Sequence, residues 1–174
     1  MKELKDYIKS IPDFPTPGVM FRDVTSILDD PEGFQLSVEE LTRLLDGVEY
    51  DVIAGVESRG FIFGAPLAYR QEKAFVPVRK KGKLPRETVE RTYDLEYGTA
   101  TIEIHKDAVR PGQKVVIIDD LLATGGTIEA AAKLVEQLGG EVVKMIFLIE
   151  LTDLKARERL AGYDVASVVQ YEGA

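Results

Sequence analysis

Val115-Val116-Ile117-Ile118 is an unbroken aliphatic run that leads straight into Asp119-Asp120. After Leu121-Leu122 comes the turn Ala123-Thr124-Gly125-Gly126-Thr127, and helix-forming residues from Ile128 to Leu134 stand behind it. Few folds accept this order of residues. An apolar run without alternation is buried on both faces, the condition of a strand inside a parallel sheet covered by helices. The two carboxylates then emerge at the strand's carboxyl end, the edge at which open α/β sheets bind ligands. The turn offers backbone N–H groups, the hydroxyls of Thr124 and Thr127 and the positive end of a helix, which together suit a phosphate monoester.

This turn is not a nucleoside-triphosphate loop, because Thr127 stands where such a loop carries lysine and two acids precede it. Adjacent carboxylates are good acceptors for a vicinal diol. The expected ligand therefore carries hydroxyls about one nucleoside's width from a phosphate, and a ribose 5-phosphate meets that description.

Other β-branched runs complete the sheet: Asp51–Val56, Ala74–Arg79, Lys114–Asp119, Glu141–Glu150 and Val165–Gln170, separated by helical segments. They predict an α/β fold in a single domain over 1–174, a mostly parallel twisted sheet flanked by helices. Two helices are expected before the sheet. Lys2–Ser10 places Leu4, Tyr7 and Ile8 at helical spacing, and Pro31 to about Asp46 puts Phe34, Val38, Leu41, Leu44 and Leu45 on one side, with Gly47 as a stop. Between them Ile11–Gly18 carries three prolines in six residues, which predicts an irregular loop. Thr88–Tyr93 and Thr99–Ile104 alternate around Glu96-Tyr97-Gly98, the pattern of an exposed hairpin or flap. The single His105, between that strand and Lys106-Asp107, reads as a surface residue rather than a base.

Composition narrows the chemistry. The chain has no cysteine, which excludes disulfides and thiol chemistry. Its 22 basic and 30 acidic residues give net charge −8, which opposes binding of nucleic acid. An acidic protein that handles phosphates must concentrate its positive charge locally, and Val78–Arg91 does so with six cations in fourteen residues. No apolar run reaches the roughly 20 residues of a membrane span, and the first residues lack the apolar core of a signal peptide. A cytoplasmic protein with no membrane partner is the expectation.

The pattern Ile117-Ile118-Asp119-Asp120-x-x-Ala123-Thr124-Gly125-Gly126-Thr127 resembles the signature of the type I phosphoribosyltransferases. The resemblance implies that Asp119 and Asp120 take the ribose 2- and 3-hydroxyls of phosphoribosyl pyrophosphate (PRPP). Ala123, Thr124, Gly125, Gly126 and Thr127 would wrap its 5-phosphate. Further segments are similar to those of the family's adenine-specific members. Phe14–Asp23 resembles their N-terminal hood, here about residues 1–35, and Ala54–Phe61 their pyrophosphate loop. Arg79-Lys80-x-Gly82-Lys83-Leu84-Pro85, Leu95–Gly98 and Glu150-Leu151-Thr152 complete the set. The implied reaction joins adenine to the phosphoribosyl group of PRPP, giving AMP and diphosphate, with Mg2+ as cofactor and a homodimer as the assembly.

On this resemblance Ser58, Arg59, Arg79, Lys80 and Lys83 meet the pyrophosphate, with an unusual peptide geometry at Ser58–Arg59 aiming N–H groups at it. Met20, Phe21 and Leu151 form the adenine slot, and main-chain groups near Met20 and Arg22 read the base's edge. Met20 stands where many relatives carry a smaller aliphatic residue. Glu96, at the tip of a flexible flap over 80–104, handles the proton as the adenine ring nitrogen attacks. Arg59 is the second catalytic candidate, and Tyr97 packs on the closed site. Magnesium would be ligated mainly by PRPP and water, near Asp119 and Asp120 but with no protein ligand assigned. The hood sequence argues against hypoxanthine, guanine, xanthine or a pyrimidine as acceptor. The acidic chain, with no DNA-binding module, argues against a non-catalytic PRPP-sensing regulator.

Overall fold

The aliphatic run that constrains the sequence most is also the most buried part of the molecule. In the computed structural model, which describes residues 1–173, Val115, Val116, Ile117 and Ile118 are all fully covered. Side chains alternate across a strand, so Val115 and Ile117 enter one apolar cluster with Leu134 and Val135, while Val116 and Ile118 enter another with Phe63 and Leu67. One strand thus knits two cores together, and each of its aliphatic side chains contributes roughly 1.5–3 kcal/mol relative to exposure.

The chain opens with a 3-10 helix, Leu4–Tyr7, and then β1 (Lys9–Pro12) and β2 (Met20–Asp23). α1 (Thr25–Leu28) and α2 (Pro31–Leu44) follow, then β3 (Val52–Val56), α3 (Arg59–Arg70), β4 (Ala74–Lys80), β5 (Thr88–Asp94) and β6 (Thr99–His105). The last part is β7 (Lys114–Leu122), α4 (Gly126–Gln137), β8 (Glu141–Leu151), α5 (Ala156–Arg159) and β9 (Val165–Tyr171). Seven strands make the main sheet in the order β5-β6-β4-β3-β7-β8-β9. The run from β4 to β9 is parallel, whereas β6 joins β4 antiparallel and β5 pairs back on β6. The mostly parallel α/β fold read from the sequence is the fold observed.

α2 begins as the sequence indicates: Asp30 caps it by accepting hydrogen bonds from the N–H groups of Glu32 and Gly33, with Pro31 in the first turn where no N–H is needed.

Four expectations change. The N-terminal helix is only a 3-10 turn, because Lys9–Pro12 pairs with Met20–Asp23 in a separate two-stranded sheet; a helix this short has little stability of its own, and the distant partner wins. For the same reason Ile11–Gly18 is not wholly irregular, since its first residues belong to β1. The hairpin is not exposed throughout: β6 lies between β5 and β4, with Ile102, Glu103, Ile104 and His105 buried. His105 is therefore no surface residue, and its Nε2 accepts from the Arg86 N–H at 3.4 Å.

Candidate active site

β3 and β7 are neighbours, so their carboxyl ends deliver two loops to one place. The acids fall within β7, which runs on to Leu122, and α3 starts at Arg59 directly after the β3 loop. Gly60 makes this approach possible: a Cβ there would stand 3.1 Å from Asp119 Oδ1 and 3.2 Å from the Ile118 carbonyl oxygen. Glu57, Ser58, Arg59, Lys80, Asp119 and Asp120 bound a concavity of about 280 Å3. Five of the residues named for the pyrophosphate and ribose thus converge from three strand ends. The unusual peptide is present one residue earlier than expected, since the cis bond is Glu57–Ser58 and not Ser58–Arg59.

The two acids differ. The Asp120 N–H donates to Asp119 Oδ1 at 2.8 Å. Burial, and next the neighbouring Asp120 carboxylate, hold the Asp119 carboxyl well above the usual carboxylate range, against a smaller opposing pull from Arg59. Asp120 is 3% exposed. Its Oδ2 lies 2.6 Å from Arg59 Nε but accepts no hydrogen bond, so the contact is an ion pair whose N–H points off the line. The ion pair leaves lone pairs of this carboxylate open, and a sugar hydroxyl is the kind of donor that can fill them. Among the described residues no group of three or more carboxylates or imidazoles can hold a metal. The acid pair fits a magnesium ion whose ligands come chiefly from substrate and water.

The basic segment is held by carboxylates that sequence reading had not singled out. Glu57 Oε1 accepts from the Lys80 N–H at 2.6 Å and from Arg79 Nε at 3.3 Å. Buried Glu103 accepts from the Gly82 and Leu84 N–H groups at 2.9 and 3.0 Å. Arg79 is therefore turned to Glu57. Lys80 and Lys83 are exposed, and neither forms an ion pair among the described residues, whereas Lys81 pairs with Glu90.

The second loop, Ala123–Thr127, enters α4 through Gly125 at φ 87°, a left-handed conformation that favours glycine. The first N–H groups of α4 lack helical partners, as at any helix start. Thr124 is exposed, while Thr127 Oγ1 lies 2.9 Å from the Tyr93 hydroxyl.

Of the N-terminal adenine-slot candidates, Arg22 is the one tied to the C-terminal end of the sheet, whereas Met20 and Phe21 are seen against their own N-terminal segment. The Arg22 guanidinium lies 4.0 Å from the Tyr171 ring centre, and Tyr171 is the register partner of Leu151. Phe21 packs edge-on against Phe14 at 5.1 Å, and Met20 pairs with Pro12. Arg22, Ser10, Thr152 and Tyr171 border a larger polar concavity of about 680 Å3. It shares no residue with the acid-pair concavity, and size alone does not locate chemistry. At the hairpin tip Glu96 is exposed, and Leu95 and Tyr97 are 48% and 87% exposed. Tyr171 and Tyr93 were missed in the sequence; Tyr93 lies on a strand that alternates and so carries no sign of its partner.

A family model described as "Phosphoribosyl transferase domain" matches residues 24–171. A protein from Butyrivibrio fibrisolvens named adenine phosphoribosyltransferase is 69% identical over 99% of this chain and 96% of its own length. The crystal structure of adenine phosphoribosyltransferase from Thermoanaerobacter pseudethanolicus is 58% identical, superposes with a TM-score of 0.93, and is matched over 97% of this chain and 98% of that one. The Saccharomyces cerevisiae enzyme, solved with an imino-altritol bisphosphate and adenine, is 41% identical with a TM-score of 0.89 over 95% of this chain and 96% of that one.

Proposed function

The chain belongs to the phosphoribosyltransferase family, among the adenine phosphoribosyltransferases, and on that premise we propose that it transfers the 5-phosphoribosyl group of PRPP to adenine, forming AMP and releasing diphosphate. The observation that carries the chemistry is the buried, hydrogen-bond-free Oδ2 of Asp120, one short loop away from a glycine turn at a helix start. A ribose hydroxyl and a 5-phosphate on the same sugar answer both features at once.

Displacing diphosphate at C1 builds positive charge on the sugar and negative charge on the leaving group. In this reading Asp119 and Asp120 hold the sugar's diol, and their proximity favours its developing positive charge. Together the two side chains offer acceptor oxygens toward both hydroxyls of the diol. Arg59, Lys80 and Lys83 meet the diphosphate, with Ser58 supplying main-chain contact. Arg79 serves the same group indirectly, by fixing Glu57 beneath Lys80. A magnesium ion ligated mainly by PRPP and water would sit near Asp119 and Asp120, and would supply charge neutralisation for the departing diphosphate.

Met20, Phe21 and Leu151 bound the adenine, and the β2 main chain at Arg22 reads its edge. Glu96 takes or relays the proton as the ring nitrogen attacks, and Tyr97 covers the site when the tip closes and water is excluded. A cytoplasmic homodimer is part of the same proposal. Independently, no helix among the described residues is long and apolar enough to cross a membrane.

The test is incubation of the purified protein with magnesium, PRPP and each nucleobase in turn, with identification of the nucleotide formed. AMP from adenine alone is expected. Formation of IMP, GMP or UMP, or of no nucleotide, overturns the proposal.

A further inference from the structure

We propose that Tyr93 is a positioning residue for the ribose 5-phosphate, acting through the hydroxyl of Thr127. The inference rests on the reading that the phosphate sits at Ala123–Thr127. Tyr93 belongs to the hairpin strand β5, yet its hydroxyl lies 2.9 Å from Thr127 Oγ1, across 34 residues of sequence. Its ring packs against the core cluster that contains α4, so the phenol oxygen is held in place.

Proton counting gives this contact a direction. A phosphate monoester offers acceptors, so at the start of α4 the Thr127 proton turns toward it. The Thr127 oxygen is then left to accept, and Tyr93 carries the one proton available to it there. The result is a chain from phenol to threonine to phosphate, in which each hydrogen bond polarises the next. No bond forms or breaks; the tyrosine fixes the rotamer and proton direction of a ligand-facing hydroxyl. Tyr93 also lies two residues before Leu95, so the same contact ties the phosphate loop to the base of the hairpin that carries Glu96 and Tyr97.

The experiment compares wild type, Tyr93→Phe, Thr127→Val and the double variant, each titrated with ribose 5-phosphate and, separately, with diphosphate. Tyr93→Phe is expected to weaken ribose 5-phosphate by about tenfold, the loss of one hydrogen bond to a polarised group, while diphosphate affinity stays within twofold. The double variant is expected to bind ribose 5-phosphate no more weakly than Thr127→Val alone, because both changes cut the same chain. Thr127→Ser, which keeps the hydroxyl, should retain the sensitivity to Tyr93→Phe and serves if the valine variant does not fold. Equal weakening of both ligands, or fully additive losses in the double variant, overturns the assignment of Tyr93 while leaving the phosphate site standing. Failure of the wild type to bind ribose 5-phosphate overturns the phosphate site, and Tyr93's role with it.

Discussion

The carboxyl ends of β3 and β7 and the tip of the β5–β6 hairpin are built on opposite plans. At the first, the acids follow the fully covered run Val115–Ile118, a glycine lets α3 touch Asp119, and burial works against the charge of that carboxyl. At the second, Leu95, Glu96, Tyr97 and Gly98 make a turn closed by a hydrogen bond from the Leu95 N–H to the Gly98 carbonyl oxygen, with the large side chains in solvent. The contrast separates two requirements of the reaction. A sugar phosphate must be held by groups that do not move, which demands a packed foundation and tolerates an uncomfortable carboxylate. Exclusion of water demands a piece that opens, and a piece that opens cannot be packed.

Substitutions at the two places should therefore fail in different ways. The largest effect is expected from Glu96→Gln: turnover on adenine falls on the order of 100-fold, the usual worth of a proton-transferring group, while the thermal midpoint stays where it is because the side chain is exposed. Unchanged turnover removes Glu96 from the chemistry and leaves the tip as a cover only. Next comes Asp120→Asn, which keeps the shape but removes the charged acceptor. The kcat/KM for PRPP should fall by about 30-fold, near 2 kcal/mol for a hydrogen bond to a charged group, with the KM for adenine unmoved. An adenine KM that rises in parallel breaks the proposed division between a sugar-holding edge and a base-holding hood.

The smallest effect concerns a buried acid with no ligand to hold. Glu150 is gripped by Arg157 Nε and Nη2 at 2.9 Å each and accepts from Ser167 at 2.7 Å. The Arg157 hydrogen bonds, ahead of those from Ser167 and Gln170, set its carboxyl below the ordinary value of 4.5. Because the folded value is the lower one, the stabilisation is present above pH 4.5 and fades as pH falls through that value toward the folded one. Glu150→Gln should flatten this acid limb, by about 1 kcal/mol of unfolding free energy, and leave kcat/KM for PRPP within twofold. An acid limb unchanged in the variant shows that other carboxylates set it.

How far each region could be read from the chain follows the same division. The segment from Val115 to Leu134 was legible because strand, acids, glycine turn and helix are contiguous, and each constrains its neighbour's conformation. The position of Arg59 was legible for the same reason, just beyond a buried strand, although it proves to be the first residue of α3 rather than part of the loop. The N-terminal helix was misread because Lys9–Pro12 takes its conformation from Met20–Asp23, and a local helical spacing of Leu4, Tyr7 and Ile8 carries no trace of that partner. His105 looked like a surface residue beside Lys106-Asp107, yet β6 is an inner strand. Only the sheet order shows this. The bonds that Glu103 accepts from the Gly82 and Leu84 amides, and the one between Tyr93 and Thr127, join residues 19 to 34 positions apart. No periodicity encodes them.

The most direct measurement is a crystal structure of the protein with AMP bound. The ribose hydroxyls should lie against the Asp119 and Asp120 carboxylates, within hydrogen-bond distance of Asp120 Oδ2, and the phosphate should be wrapped by the main chain of Ala123–Thr127. AMP ordered elsewhere, such as in the concavity of about 680 Å3 beside Arg22 and Tyr171, with the acid pair and the glycine turn untouched, would contradict it.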